Sequence, residues 1–131
     1  MQRYLEQAQR NEELHGILCT NHPDRFFNWK IMALHYSAFH YLKALAAKKN
    51  IEIGDTQHAI DKSCNPDNNS TLMPLQKDVW LLYEELQRQF RDSIYSSTDG
   101  NHMINELKGI HGHCLEHLDS FKKYAVKELF G

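Results

Sequence analysis

The sequence predicts an all-α fold, an antiparallel bundle of four to five helices. Two observations predict it: long segments carry apolar residues every three or four positions, and no segment reads as a convincing strand. The chain has 131 residues, of which 41% are hydrophobic and 24% charged, as in ordinary globular proteins. This length suits one domain, residues 1–131, around one hydrophobic core.

The first helix is predicted from about Gln2 to Cys19, where good helix formers carry a thin apolar pattern. Pro23 then disfavours helix at the residue before it. Asp24 is the predicted N-cap of the second helix, which runs from about Arg25 to Lys49.

The second helix contains "WKIMALHYSAFHYLKALAAKK" and is apolar nearly all round. Its polar residues concentrate on a narrow sector near Lys30, Ser37 and Lys48. A helix with so little polar surface is predicted to lie at the centre of the bundle. Its two histidines, His35 and His40, lie about 140° apart around the helix, so they cannot share one metal ion. His35 is predicted to be a partly buried residue with a hydrogen-bonded neighbour, whereas His40 either lines a polar site or is structural.

The connection "NIEIGDTQHAIDKSCNPDNNST" is long for a compact domain, and such loops are often functional or mobile. A short helical turn is predicted around Thr56–Lys62. His58, Asp61 and Lys62 lie close together there, but their spacing matches no catalytic motif.

Two further amphipathic helices complete the predicted bundle. The third opens near Pro74 and continues to Tyr95, and the fourth runs from about Met103 to Leu129. The predicted apolar stripe of the third is Leu75, Val79, Leu82, Leu86 and Phe90, and that of the fourth is Ile104, Leu107, His111, Cys114, Leu118, Phe121 and Ala125.

The segment "GIHGHCLEHL" is the metal-binding candidate of the sequence. His113 and His117 are four residues apart and both suit one ion, although the third ligand must come from elsewhere. The alternative is a solvated face. His111 falls on the apolar stripe and is predicted to be a core or interface histidine with a hydrogen-bond partner.

Three charged residues and a tyrosine fall on one side of the third helix, namely Glu84, Arg88, Arg91 and Tyr95. They form either a solvent-facing ladder with a Glu84–Arg88 pair or a polar groove in which guanidinium groups meet phosphate.

Composition narrows the function classes. The net charge of -2 gives no global attraction to nucleic acid or anionic lipid, which leaves a local basic patch open. The three cysteines are far apart and form no CxxC pair, so neither a disulfide framework nor a cysteine zinc site is indicated. The polar N-terminus is not a signal peptide, and no apolar stretch is long enough to span a membrane. These features predict a cytoplasmic protein with reduced thiols and no membrane association.

Three segments together resemble the HEPN family (higher eukaryotes and prokaryotes nucleotide-binding). They are "NWKIMALHYSAFHYLKALAAKKNI", "GDTQHAIDKS" and "LYEELQRQFRDSIY", and the resemblance covers roughly residues 24–95. It implies an all-α bundle that commonly forms a homodimer. No cofactor is predicted for the chain. Members include RNases of toxin–antitoxin and antiviral systems. Others are non-catalytic and bind RNA, nucleotides or a cognate partner protein.

The resemblance also implies roles for single residues. Arg91 matches the family's arginine and Tyr95 the tyrosine that follows it, so both are expected to contact a phosphate or a base. Ser96 stands where the nucleases carry histidine, which favours binding over cleavage. Two alternatives stay open: a metal-independent endoribonuclease that uses Arg91 with another base, and a metal-binding helical bundle. The candidate binding residues are therefore Arg91, Tyr95, Arg88, His40 and His58, and the candidate bases of the nuclease are His58, His40 and His102.

Overall fold

A computed structural model describes residues 1–68, 71–95 and 100–131, with side chains except at 95 and 100–104. Within these residues the fold is all-α, as predicted. One hydrophobic cluster takes residues from every helix. None of the described helices is apolar over a stretch long enough to cross a membrane. The five helices are α1 (Gln2–Asn21), α2 (Phe27–Lys48), α3 (Gln57–Cys64), α4 (Lys77–Tyr95) and α5 (Gly100–Phe130).

The first two helices run in opposite directions. Lys43, late in α2, lies 5.6 Å from the ring of Tyr4, early in α1. At the other end, Lys30 of α2 donates to the carbonyl of His22, just after α1, at 2.5 Å. The predicted antiparallel packing therefore holds for this pair.

The last two long helices are also antiparallel. Tyr83, early in α4, packs 5.5 Å from Phe121, late in α5, and Gln89 of α4 accepts a hydrogen bond from Cys114 of α5. Helix α2 contacts α1, α4 and α5, which confirms it as the central helix.

The narrow polar sector of α2 is partly buried. Lys30 and Ser37 are 1% and 0% exposed, and Ser37 donates to the carbonyl of Ala8 at 3.1 Å. Trp29 and Tyr36 are exposed instead, at 53% and 41%. The buried lysine and serine are accommodated because backbone carbonyls of α1 and its C-terminal turn accept their hydrogen bonds.

Both ends of α2 are set by left-handed backbone conformations. The N-cap is Phe26 with φ 60°, without a side-chain cap hydrogen bond, so the predicted cap at Asp24 is wrong. At the other end Asn50 has φ 56°, and the next N–H, of Ile51, donates to Ala46 O at 2.9 Å. This is a Schellman ending, in which asparagine tolerates the left-handed position.

The long connection contains α3 at about the predicted position. The Thr56 side chain caps the helix by accepting from the Ala59 N–H at 3.1 Å. Lys43 of α2 holds the preceding turn, because its Nζ donates to Gly54 O at 3.0 Å and to Asp55 Oδ1 at 2.8 Å. The connection is therefore anchored to the central helix.

The buried face of α4 differs from the predicted stripe. Trp80 and Tyr83 are fully buried, whereas Leu82 and Phe90 are only half-buried. The predicted stripe of α5 is buried from Leu107 to Ala125, and Ile104 lies outside the described side chains. Aromatic residues of α4 thus fill the centre of the bundle.

Candidate functional site

A cavity of about 230 Å³ opens between α2, the turn into α3, and α4. The lining residues that come from α4 are adjacent or three to four positions apart, so they lie on one side of that helix. We call it the aromatic pocket, and its lining is His35, Tyr36, Phe39, Asp55, Gln57, Ile60, Tyr83, Gln87, Phe90 and Arg91.

Aromatic rings build one wall of the aromatic pocket. The imidazole of His35 stacks on the ring of Phe90, with centroids 4.1 Å apart and planes 21° apart. Tyr36 meets both rings edge-on, at 4.6 Å and 5.9 Å. These rings present a rigid surface on which a planar group of a ligand can stack.

Buried polar atoms without partners concentrate around this pocket. In the described part of the chain, five buried side-chain nitrogen or oxygen atoms have no hydrogen-bond partner. Three of them belong to pocket residues: His35 Nδ1, Tyr83 Oη and Gln87 Nε2. An unpaired buried polar group lowers the stability of the fold by about 1–3 kcal/mol. These three atoms therefore destabilise the protein unless a ligand or water completes their hydrogen bonds.

These pocket groups are neutral near pH 7. Burial, and secondly the charge of His40, lowers the pKa of His35 to about 4. Burial also raises the pKa of Tyr83 well above its usual range. The pocket therefore offers uncharged hydrogen-bonding groups, with a hydroxyl and an amide as donors.

Charged residues lie at the rim of the pocket. Arg91 is exposed and makes no ion pair or hydrogen bond with another described residue. Asp55 is paired with Lys43, whose hydrogen bond and charge lower the pKa of the Asp55 carboxyl. The free guanidinium is thus the available cation of the site.

The two arginines of the predicted cluster separate in space. Arg91 lines the aromatic pocket, but Arg88 does not. Arg88 binds Glu85, through Nε at 3.0 Å and through a second contact, and lies 3.6 Å from Asp92. The ladder thus exists, but its main pair is Glu85–Arg88 rather than the predicted Glu84–Arg88. The side chains of Tyr95 and His102, and the whole of Ser96, lie outside what the structure describes.

Neither His40 nor His58 lines the aromatic pocket with Arg91. His40 faces α1, where its Nδ1 donates to Tyr36 O at 2.7 Å and lies 3.3 Å from the Asn11 amide. His58 is exposed on α3 and does not line the pocket. His35, predicted to be a hydrogen-bonded structural residue, is buried with an unpaired Nδ1 and lines the pocket instead.

A different set of residues brings metal-ligating atoms together. His113 is exposed and His117 half-buried, and neither joins a group of three ligands in the described residues. The group that does form is His15, Cys19 and His111. His111 is buried and hydrogen-bonded, at 2.7 Å from His15, which confirms the prediction for that residue.

Sequence reasoning missed His35, Tyr83 and Gln87 as site residues. The spacing from Tyr83 through Gln87 to Arg91 repeats every four positions, which places all three on one face of α4. That signal was present, but only the packing of α2 and α3 over this face makes it a pocket.

No protein-family model, curated protein or solved structure matches this chain.

Proposed function

We propose that the protein is a non-catalytic, HEPN-like module that binds a single nucleotide unit, free or within RNA, in the aromatic pocket. The observation that carries the proposal is the combination of stacked rings, three unpaired polar atoms and an unpaired arginine at one cavity. The proposal also rests on the resemblance of residues 24–95 to the HEPN family.

The inner part of the pocket suits a nucleobase. Proteins recognise unstacked bases by stacking on aromatic rings and by hydrogen bonds to base edges. Tyr36, Phe39 and Phe90 offer the rings, and the Gln87 amide offers a donor. A cavity of about 230 Å³ accommodates one base rather than a folded nucleic acid.

The rim of the pocket suits a phosphate. A guanidinium group donates two parallel hydrogen bonds to phosphate oxygens, and Arg91 makes no ion pair with another described residue. A single arginine supplies the positive charge, so about one counterion is released on binding. The logarithm of the binding constant should therefore fall with the logarithm of the salt concentration with a slope of only about -1.

Two features favour binding over cleavage. His35 is the histidine of the pocket, but a pKa of about 4 makes it a weak proton acceptor near pH 7. Ser96 stands where the resemblance expects the histidine of the nucleases. We therefore expect no RNA cleavage in EDTA.

The test is calorimetric titration of the purified chain with the four nucleoside monophosphates and with short single-stranded RNA. We expect saturable binding of at least one of them, weakened about tenfold or more by Arg91→Ala, since a charge-assisted bond is lost. Gln87→Leu is expected to alter the preference among bases.

Arg88→Ala is the matched control, because Arg88 lies on the same helix, is also exposed and does not line the pocket. Its affinity should stay within about twofold of the parent chain. Equal losses in the two variants, or no binding by any probe, would overturn the proposal. Cleavage of RNA that Arg91→Ala abolishes would establish the endoribonuclease instead.

A further inference from the structure

A second cluster of reactive side chains joins α1 to α5, away from the aromatic pocket. His15 Nε2 lies 2.7 Å from His111 Nε2 and 3.4 Å from Cys19 Sγ. The ligand atoms of all three residues lie within 4.8 Å of one another. His15 and Cys19 are half-buried and His111 is buried, so the cluster is shielded but reachable.

The residue types and their spacing suit a metal ion. His15 and Cys19 are four residues apart on α1, so they lie on one face of the helix. His111 comes from another helix, 96 positions along the chain. Zinc binds well to imidazole nitrogen and thiolate sulfur. With three protein ligands, its fourth tetrahedral position is left for water or another small ligand.

We propose that His15, Cys19 and His111 form a binding site for a zinc-class divalent ion. The proposal concerns neither the aromatic pocket nor nucleotide binding. It also differs from the pair that the sequence suggested, His113 and His117, which lie elsewhere on α5.

Two of the three distances between the ligand atoms can be compared with those of a tetrahedral site. Zinc bonds of about 2.0–2.1 Å to nitrogen and 2.3 Å to sulfur place two nitrogens about 3.3 Å apart and nitrogen and sulfur about 3.5 Å apart. The observed 3.4 Å between Cys19 Sγ and His15 Nε2 already agrees. The two imidazole nitrogens, at 2.7 Å, must separate by about half an ångström, which rotation of the side chains supplies.

The protons balance in a simple way. At 2.7 Å one Nε2 carries a hydrogen and donates it to the other. When the ion binds, that imidazole carries its proton on Nδ1 instead, and the Cys19 thiol releases its proton to solvent. One proton is therefore released for each ion bound.

Two neighbouring charges act on the cluster in opposite directions. Lys30 opposes positive charge at His15, and Glu12 favours it. The ammonium of Lys30 is held by the His22 carbonyl at 2.5 Å and lies 4.3 Å from the Phe27 ring. The negative charge of the Cys19 thiolate offsets what remains of this repulsion when the ion is bound.

A bound ion would tie the C-terminal half of α1 to the bundle. The buried residues of α1 are Leu5 and Ala8, both in its N-terminal half. An ion shared with His111 of α5 therefore adds a link where apolar packing is thin. We expect zinc to raise the melting temperature, because it binds the folded chain preferentially.

The test is a titration of the metal-stripped full chain with Co²⁺, followed by displacement with Zn²⁺. We expect one equivalent of Co²⁺ to produce a thiolate-to-cobalt charge-transfer band and tetrahedral visible bands. The band should vanish in Cys19→Ser, and His111→Gln should weaken binding about 100-fold or more. The double variant His113→Gln/His117→Gln is the control on the same helix and should bind like the parent.

Alkylation of the parent chain gives a measurement that needs no variant. Zn²⁺ should slow modification of Cys19 by iodoacetamide about tenfold or more. Cys64 and Cys114 are internal references, because burial raises the pKa of both thiols to about 12. No charge-transfer band in the folded parent chain would overturn the proposal. So would unchanged Cys19 alkylation, or equal metal binding by Cys19→Ser.

Discussion

The two sides of the central helix differ in whether their buried polar atoms have hydrogen-bond partners. On the side facing α1, which we call the α1 seam (Glu12, His15, Cys19, Tyr41 and His111), buried polar atoms have partners. Tyr41 Oη donates to Glu12 at 2.5 Å, and the two histidines bond at 2.7 Å. On the other side, facing α4, the aromatic pocket has three polar atoms without partners.

The difference separates polar groups that link two helices by hydrogen bonds from buried polar groups that have no partner within the described residues. Partnered groups in the α1 seam offset their desolvation inside the protein, so they contribute to the fold. Unpartnered groups in the pocket destabilise the protein unless water or a ligand completes their hydrogen bonds, and a ligand that does so recovers that free energy on binding.

The largest expected effect comes from acid. His35 has a folded-state pKa of about 4 against 6.5 in the unfolded chain, because burial disfavours its charged form. The unfolded state therefore binds more protons between these values, and stability falls as pH drops from about 6.5 to about 4. The expected loss from this group is up to about 3 kcal/mol.

Urea denaturation at a series of pH values, in EDTA, measures this loss. His35→Leu removes the group and should reduce the fall in stability over that window by about the same amount. The part due to His111, whose pKa burial also lowers to about 4, should remain. His113→Gln is the control, because His113 is exposed on α5. A profile that is equally steep in His35→Leu and in the parent would show that His35 is not held neutral by burial.

A smaller effect is expected in the α1 seam from Tyr41→Phe. The variant loses the hydrogen bond to the Glu12 carboxylate, and hydrogen bonds to charged groups contribute about 1.5–3 kcal/mol. Glu12 keeps its ion pair with Lys122 at 2.9 Å, so its carboxylate is not left alone. Denaturation at pH 7 should show the loss, and an unchanged midpoint would contradict the comparison.

The smallest effect is expected in the pocket from Tyr83→Phe. Its hydroxyl has no partner, so removing it should change stability by less than about 0.5 kcal/mol or raise it by up to about 1 kcal/mol. Both tyrosines are about 1% exposed or less, so the two variants are matched in burial. A loss as large as that of Tyr41→Phe would mean that the Tyr83 hydroxyl is satisfied in the folded protein.

The sequence was enough to predict which residues share one face of a helix. The apolar stripe of α5 and the central position of α2 followed from periodicity, because side chains three or four positions apart share a face. Arg91 was singled out as a binding residue, and it lines the pocket. His111 was placed on the stripe with a partner, but the sequence did not name His15 as that partner.

The features that could not be predicted from the sequence depend on which helices pack together. Lys30 and Ser37 belong to the narrow polar sector of α2, yet both are buried, and the carbonyls of His22 and Ala8 accept their hydrogen bonds. The position of Asp55 could not be predicted, because Asp55 belongs to the long connection. Its ion pair with Lys43 places it at the rim of the pocket. Burial of polar side chains cannot be read from helical periodicity alone, since it depends on acceptors from distant segments.

The sequence by itself determined the helices, their approximate ends and the central role of α2, because these follow from local propensity and the period of apolar residues. Only the tertiary structure decided which polar atoms meet. It brought His35, Gln87 and Arg91 to one cavity and His15 to His111 across 96 positions. Sites of this kind depend on distances of a few ångströms between helices, which no pattern within one helix specifies.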